Sequence, residues 1–349
     1  MARPCLLMLV GSYTTAEMAE LSALYARGCE QALAGAFDFV TLHRAPNGAW
    51  RVTERLDDLE MSPGLSLETA LARLAGRRFA AGLPQMFCRP GMTEGRALFA
   101  RLGVPMIGNL PGLMDLAADK ARTREVVAAA GVNVPNGYRV AADDPLDALP
   151  TAPAPPLVVK PVGSDNSDGL HLVHESRELA PAIRAAQSWG DVLVERFVPP
   201  GREMRCAVIR RGGALLALPP EEYPIGAAHP VRTRADKLAR VDGRLALAAK
   251  TSEAAWIVDP DDPDAHAVQT TARRAFKALG CRHYGLFDFR VDAAGQPWFL
   301  EAGLYCSFSP DSVIVAMARA DGIALPDLLL GFLNILAPAA PSSLTTAIA

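Results

Sequence analysis

Asp288 and Glu301 lie in the stretch HYGLFDFRVDAAGQPWFLEAGLYCSFSPD, between Phe287, Phe289, Trp298 and Phe299. Two runs of strand formers, Leu286 to Val291 and Pro297 to Leu300, flank Asp292-Ala293-Ala294-Gly295-Gln296, whose Asp and Gly favour a turn. The pattern predicts a β-hairpin. With its register centred between Ala294 and Gly295, the two carboxylates stand opposite one another on one side of the sheet. Carboxylates so placed repel, and a cation that also touches phosphate, Mg²⁺ above all, would neutralise them. A slipped register that leaves two solvated edge charges fits the spacing equally well.

The elements that would position this hairpin are legible in outline. A chain of 349 residues, half of them hydrophobic, can build a large core and should divide into two or three domains. A formal net charge of -3 gives no basic footprint for nucleic acid, so small molecules or protein are the expected partners. The six cysteines are scattered without the close spacing of a zinc site or redox pair, as expected of reduced thiols in the cytoplasm. Arg3 and the run Cys5 to Val10 imitate a short signal peptide, but the run is brief and no clean cleavage site follows, so a buried first strand is expected. Leu328 to Leu336 is far too short to span a membrane.

Along the chain, strand patterns at Cys5–Val10, Phe37–Leu42, Leu83–Cys88 and Val104–Ile107 alternate with helical ones at Ala16–Leu33, Leu67–Leu74 and Glu94–Leu102. Such alternation predicts a parallel α/β sheet. No Gly-x-Gly-x-x-Gly pattern supports a dinucleotide site. A helix is predicted from Met114 to Ala130, stopped by Gly131 and Pro135. In LVVKPVGSDNSDGLHLV, strand, Gly/Ser/Asp/Asn loop and strand follow one another, which excludes a Walker-type loop leading into a helix. Further on are a helix Ser176–Gln187, strands Val192–Val198 and Arg205–Arg210, and an irregular stretch from Pro219 to Gly243 with the character of a mobile lid. Helices Val268–Leu279 and Leu325–Leu336 bracket the hairpin, and the Ala/Pro/Ser/Thr tail is expected to be disordered.

Several motifs now coincide in order: ADKARTREVVAAAGVNVP, PLVVKP with its loop, VLVERFVPPGREMRCAV, and the hairpin followed by SFSPDS. Together, from about Cys5 to Leu336, they resemble the ATP-grasp superfamily, in its D-alanine–D-alanine ligase-like branch. The resemblance implies an α/β fold, α+β in its C-terminal part: a parallel α/β domain over 1–112, a central lobe over 113–199, a metal-bearing lobe over 200–337 and a tail over 338–349. It implies a reaction in which ATP, with Mg²⁺ or Mn²⁺, phosphorylates a carboxylate and an amine attacks the acyl phosphate, giving an amide. Amino acids would be the substrates. Homodimers are common among the resembling ligases, although no residue here requires one.

The same resemblance assigns roles. Lys120, Lys160 and Lys250 would hold phosphates, with Lys237 the alternative to Lys250, and Lys250 would also assist catalysis. Ser164, Asn166 and Ser167 belong to the phosphate-covering loop, where Asp165 and Asp168 must turn outward. Glu195, Phe197 and Val198 match the adenine contacts and Glu203 the ribose acid, while Asp288 and Glu301 would bind the metal. Glu17 would meet the ammonium of the first amino acid, or simply stabilise the first turn of its helix. Ser307, Ser309 and Ser312 would receive the second substrate.

Two departures concern chemistry. Where such ligases carry Arg two residues before the metal-binding Asp, this chain has Leu286, and where they carry Asn two residues after the metal-binding Glu, it has Gly303. Arg290 is a conceivable substitute for the first loss; the second removes a metal ligand. The expectation is a ligase other than the ordinary cell-wall enzyme, acting in a specialised biosynthetic route. The alternative is a catalytically impaired nucleotide-binding protein with a regulatory or scaffold role.

Overall fold

The unbroken apolar run Leu6 to Val10 is fully buried, as a strand covered on both faces requires. The computed structural model describes residues 3–146, 153–164, 167–199, 201–226, 229–232, 238–241, 244–247 and 253–336. In it this run forms β1 (Cys5–Gly11), parallel to β2 (Asp38–Arg44) and β4 (Ala81–Pro84), while β3 (Trp50–Thr53) adds an antiparallel edge. Val104–Ile107 contributes a single bridge, Met106 to Gly82, in place of the expected strand. Helix α1 (Ala16–Leu33) begins where the Thr15 hydroxyl accepts from the Met18 N–H at 3.2 Å. Helices α2 (Leu67–Leu74) and α3 (Arg96–Arg101) complete this part.

The predicted helix Met114–Ala130 is broken. It forms α4 (Pro111–Ala117) and α5 (Lys120–Ala129), because Asp119 takes an extended backbone and its carboxylate accepts from the Arg122 N–H at 2.9 Å. An Asp side chain competes with the helix in this way, and the break makes Lys120 the first residue of α5.

Antiparallel strands β5 (Gly137–Val140), β6 (Leu157–Pro161), β7 (His171–Val173) and β8 (Val192–Arg196) form a second sheet in the order β5-β8-β6-β7, backed by α6 (Ser176–Gln187) and a core of its own. The third sheet contains β9 (Arg202–Arg211), β10 (Ala214–Ala217), β11 (Glu221–Tyr223), β14 (Trp256–Ile257), β15 (Tyr284–Val291) and β16 (Pro297–Gly303). Between β11 and β14 the short pair β12 (Leu238–Val241) and β13 (Arg244–Leu247) forms a separate ribbon. Helices α7 (Pro263–Leu279), α8 (Val313–Ala320) and α9 (Leu325–Leu336) follow or flank this sheet. One continuous apolar core joins Leu6, Met8 and Leu83 of the first sheet to Ala207, Tyr284 and Phe332 of the C-terminal part. The first and third sheets are therefore packed as one body.

The hairpin reaches its expected pairing by an unexpected route. Val291 pairs with Pro297 and Phe289 with Phe299, which centres the turn on Ala294; an irregularity after Asp288 then skips Leu300, so that Asp288 stands opposite Glu301. All six cysteines are unpaired thiols. Among the described residues no helix is long and apolar enough to cross a membrane.

Candidate active site

Two cavities meet at the hairpin. The first, about 110 Å³, lies between the second and third sheets. One end is formed by Phe197, Val198, Glu203 and Arg290: the Arg290 guanidinium donates to Glu203 at 2.9 Å and to the Val198 carbonyl at 3.3 Å, and lies 5.5 Å from the Phe197 ring. This end offers an aromatic face, apolar walls and one carboxylate, a setting for a flat heterocycle and a hydroxylated sugar. At the other end are Lys120, Asp288 and Glu301, with the Lys120 ammonium 3.7 Å from Glu301 and donating to the Ser164 carbonyl. One ammonium, two carboxylates and the loop that carries Ser164 meet there.

Lys160 of β6 and Glu195 of β8 project from neighbouring strands into this cavity and pair at 2.5 Å. Their side chains are only 10% and 4% exposed, so each needs the other's charge. Overhead, Ser167 at φ 64° donates its hydroxyl to the Arg232 carbonyl at 2.7 Å, and the Arg232 guanidinium stacks on Tyr223 at 3.5 Å. The loop after β6 and the segment after β11 thus join as a roof.

The second cavity, about 300 Å³, opens on the other side of the same carboxylates. Met18, Phe87, Met92, Met114 and Tyr305 give it apolar walls, with Leu286 and Gly303 beside Asp288 and Glu301. Lys120, Asp288 and Glu301 line both cavities. Another charged residue of this lining, Arg205 of β9, faces Asp288 across the ladder and holds both of its oxygens, the Nη2–Oδ2 contact at 2.6 Å. Burial alone would lower the Arg205 pKa, but Asp288 beside it holds the guanidinium well above the ordinary arginine range.

Among the described residues no three His, Cys, Asp or Glu side chains form a metal cage. Mg²⁺ binds through one or two carboxylates and completes its shell with phosphate and water. Asp288 and Glu301 are the pair that could hold it, with the Lys120 ammonium beside them to meet a phosphate.

Of the residues expected from sequence, Lys120, Lys160, Ser164, Ser167, Glu195, Phe197, Val198, Glu203, Asp288, Arg290 and Glu301 all line the first cavity. Glu17 sits in the first turn of α1; its neighbours Thr14 and Met18, rather than Glu17 itself, line the second cavity. Ser307, Ser309 and Ser312 are buried outside both linings: the Ser307 carbonyl accepts from Gln85 at 2.7 Å, Ser309 packs on Gly28, and Ser312 donates to the Ser309 carbonyl at 2.8 Å. Arg290 shares a strand face with Leu286 but points into the first cavity, four residues further along, and so does not fill the space beside Leu286. Asn166, Lys237 and Lys250 lie outside the described residues, as does the tail from 337.

Two important residues escaped the sequence reading. Arg205 has a signal, a charge set between Met204 and the apolar run Cys206 to Ile209, but its partner depends on β9 lying beside β15. Asn109 is fully buried and donates to the Tyr284 and Leu304 carbonyls at 2.9 and 3.0 Å while accepting from the Arg282 N–H at 2.9 Å. It ties the end of the first domain to both sides of the hairpin.

A cavity between two sheets, with a carboxylate pair at its end, is the arrangement of an ATP-grasp ligase fold. Comparison with known proteins agrees. Residues 136–334 match the family model for the D-ala D-ala ligase C-terminus. A D-alanine–D-alanine ligase of Anaeromyxobacter sp. is 30% identical over 78% of this chain and 81% of its own length, and one of Bordetella petrii is 28% identical over 76% and 79%. Among solved structures, the VanG D-Ala:D-Ser ligase of Enterococcus faecalis superposes with a TM-score of 0.75 at 19% identity, covering 96% of this chain and all of that one. The ATP complex of the Bacillus anthracis D-alanine–D-alanine ligase gives 0.69 at 17% identity, covering 95% and 97%. This chain belongs to the D-alanine–D-alanine ligase family, ATP- and Mg²⁺-dependent enzymes that join a carboxylate to an amine.

Proposed function

We propose that this ligase forms a peptide bond between amino acids, or acids resembling them, of which at least one is bulkier and more apolar than alanine, in a specialised biosynthetic route. The observation that carries the reading is the sharing of Lys120, Asp288 and Glu301 by two cavities. A phosphate group at the end of one cavity and a carboxylate in the other would meet over the same charges. Mg-ATP, when bound, supplies the phosphoryl group that converts the carboxylate into a reactive acyl phosphate.

The chain's own residues account for the rest. Lys120 and Lys160 would hold the phosphate charge, and Asp288 and Glu301 the metal. Phe197, Val198 and Glu203 would seat the nucleoside, with Lys250 as a further phosphate contact. Ser167 and its link to Arg232 would close the roof and exclude water, protecting the activated acid from hydrolysis. The walls of Met18, Phe87, Met92, Met114 and Tyr305 favour an apolar side chain larger than a methyl group, and Leu286 and Gly303 give the site a different floor from that of the resembling ligases. Glu17, between the lining residues Thr14 and Met18 in the chain, is the carboxylate that would meet an ammonium group. Lobe boundaries near 112 and 199 are supported by the sheets, each of which closes within its own stretch, and the unpaired thiols favour the cytoplasm.

The test is ADP release over a panel of paired D- and L-amino acids, with products read by mass spectrometry. Turnover should be fastest with a pair containing a large apolar member. A clear preference for D-alanine alone would overturn the specialised assignment. Thermal stabilisation by Mg-ATP without ADP formation on any pair would favour a nucleotide-binding regulatory protein instead.

A further inference from the structure

Arg205 has an unusual place for a residue that neutralises a metal-site carboxylate. It reaches Asp288 from the neighbouring strand and lines the larger cavity but not the nucleotide cavity. Its contact with Asp288 is bidentate, so both oxygens that a metal would use are already engaged. The cluster of Lys120, Arg205, Asp288 and Glu301 carries two positive and two negative charges, a neutral set without any metal. A lone divalent cation would add two charges beside a fixed guanidinium, with nothing to balance them.

We propose that Arg205 is an exchangeable counter-ion: it holds Asp288 until the metal–nucleotide arrives, then turns within the larger cavity to receive the carboxylate of the amino-acid substrate. The reading rests on Asp288 and Glu301 being the metal pair. Mg²⁺ entering with phosphates brings its own negative charge, so it displaces the guanidinium from Asp288 where the bare ion does not. The released guanidinium needs an anion, and the cavity it lines is the one expected to hold an acid. A planar fork that has just bound one carboxylate bidentately is suited to bind another. Metal–nucleotide binding would thereby prepare the acid site, and the acid would bind second.

The experiment measures Mn²⁺ binding by electron paramagnetic resonance in wild type, Arg205→Leu and Arg205→Lys, each with and without ADP. Without nucleotide, R205L should bind Mn²⁺ about tenfold more tightly than wild type, and R205K should fall between, since its point charge holds one oxygen only. In steady state, the KM for the amino-acid substrate should rise at least about tenfold in R205L while the KM for ATP changes little. If R205L fails to fold, R205K decides both readouts. Unchanged nucleotide-free Mn²⁺ affinity, with wild type still binding Mn-ADP, would overturn the exchange and leave the metal site standing. Failure of wild type to bind Mn²⁺ even with ADP would overturn both.

Discussion

Leu286 and Gly303 are register partners across β15 and β16, and together they face the larger cavity beside Asp288 and Glu301. The two departures from the resembling ligases are therefore one patch. Glycine is not demanded there by sterics, since a methyl group at 303 would come no closer than 3.9 Å to its nearest neighbour, the Leu286 carbonyl oxygen. Gly303→Asn should fold with stability changed by less than about 1 kcal/mol. It should also lower the Mg²⁺ concentration for half-maximal ADP release by supplying a further ligand. A Mg²⁺ titration checks this, and an unchanged midpoint would mean that the 303 side chain does not reach the metal.

Asp288→Asn and Glu301→Gln keep the shape of the hairpin and remove one charge each. Either change should slow ADP release about 100-fold or more, because a preorganised metal ligand is lost where charge develops. Rates within a few-fold of wild type at saturating Mg²⁺ would remove the carboxylate pair from the mechanism.

Lys160→Met leaves the Glu195 carboxylate buried without its partner, and breaking such a pair costs about 3–5 kcal/mol. Denaturant unfolding should show that loss. The double change Lys160→Met with Glu195→Leu should recover most of the stability, since an apolar pair can replace a buried ionic one. ATP affinity should remain lost in both, which separates the structural role of the pair from its function.

His283 is fully buried, and burial above all pushes its pKa down to about 4, against the opposing hydrogen bond with Gly108. In the unfolded chain the ring titrates near the ordinary histidine value of about 6.5. Between these values the unfolded state binds a proton that the folded state refuses, so stability is full above about pH 6.5 and falls as the pH drops towards 4, by up to about 3 kcal/mol. Urea unfolding across this range should show the decline, and His283→Gln should make it shallower, leaving the share of His43, which burial also pushes down to about 4. Equal slopes in the two proteins would mean that the ring does not stay neutral in the fold.

Much of the site was legible because strand alternation and turn residues act locally. The hairpin from Leu286 to Leu300 is legible through period-two patterning around Asp292 and Gly295, and Lys160 and Glu195 through the resemblance of the motifs that carry them. Other features were not local. The break at Asp119 depends on a side chain outcompeting its own backbone within a helical pattern. The bulge at Leu300 corrects a turn centred one half-step away from the expected register. Ser307, Ser309 and Ser312 were sought at the substrate, but packing against Gly28 and Gln85 takes them under the surface.

The sequence by itself determined the family, the alternation of elements and which candidate residues gather at the first cavity, since these are written in short motifs that depend on residue type and spacing. Only the tertiary structure decided that Arg205 grips Asp288, that Arg290 belongs with Glu203 rather than beside Leu286, and that one set of charges serves two cavities. Those contacts join strands distant in the chain. Their geometry follows from which strands lie side by side and in what register, and no local pattern of residues encodes that.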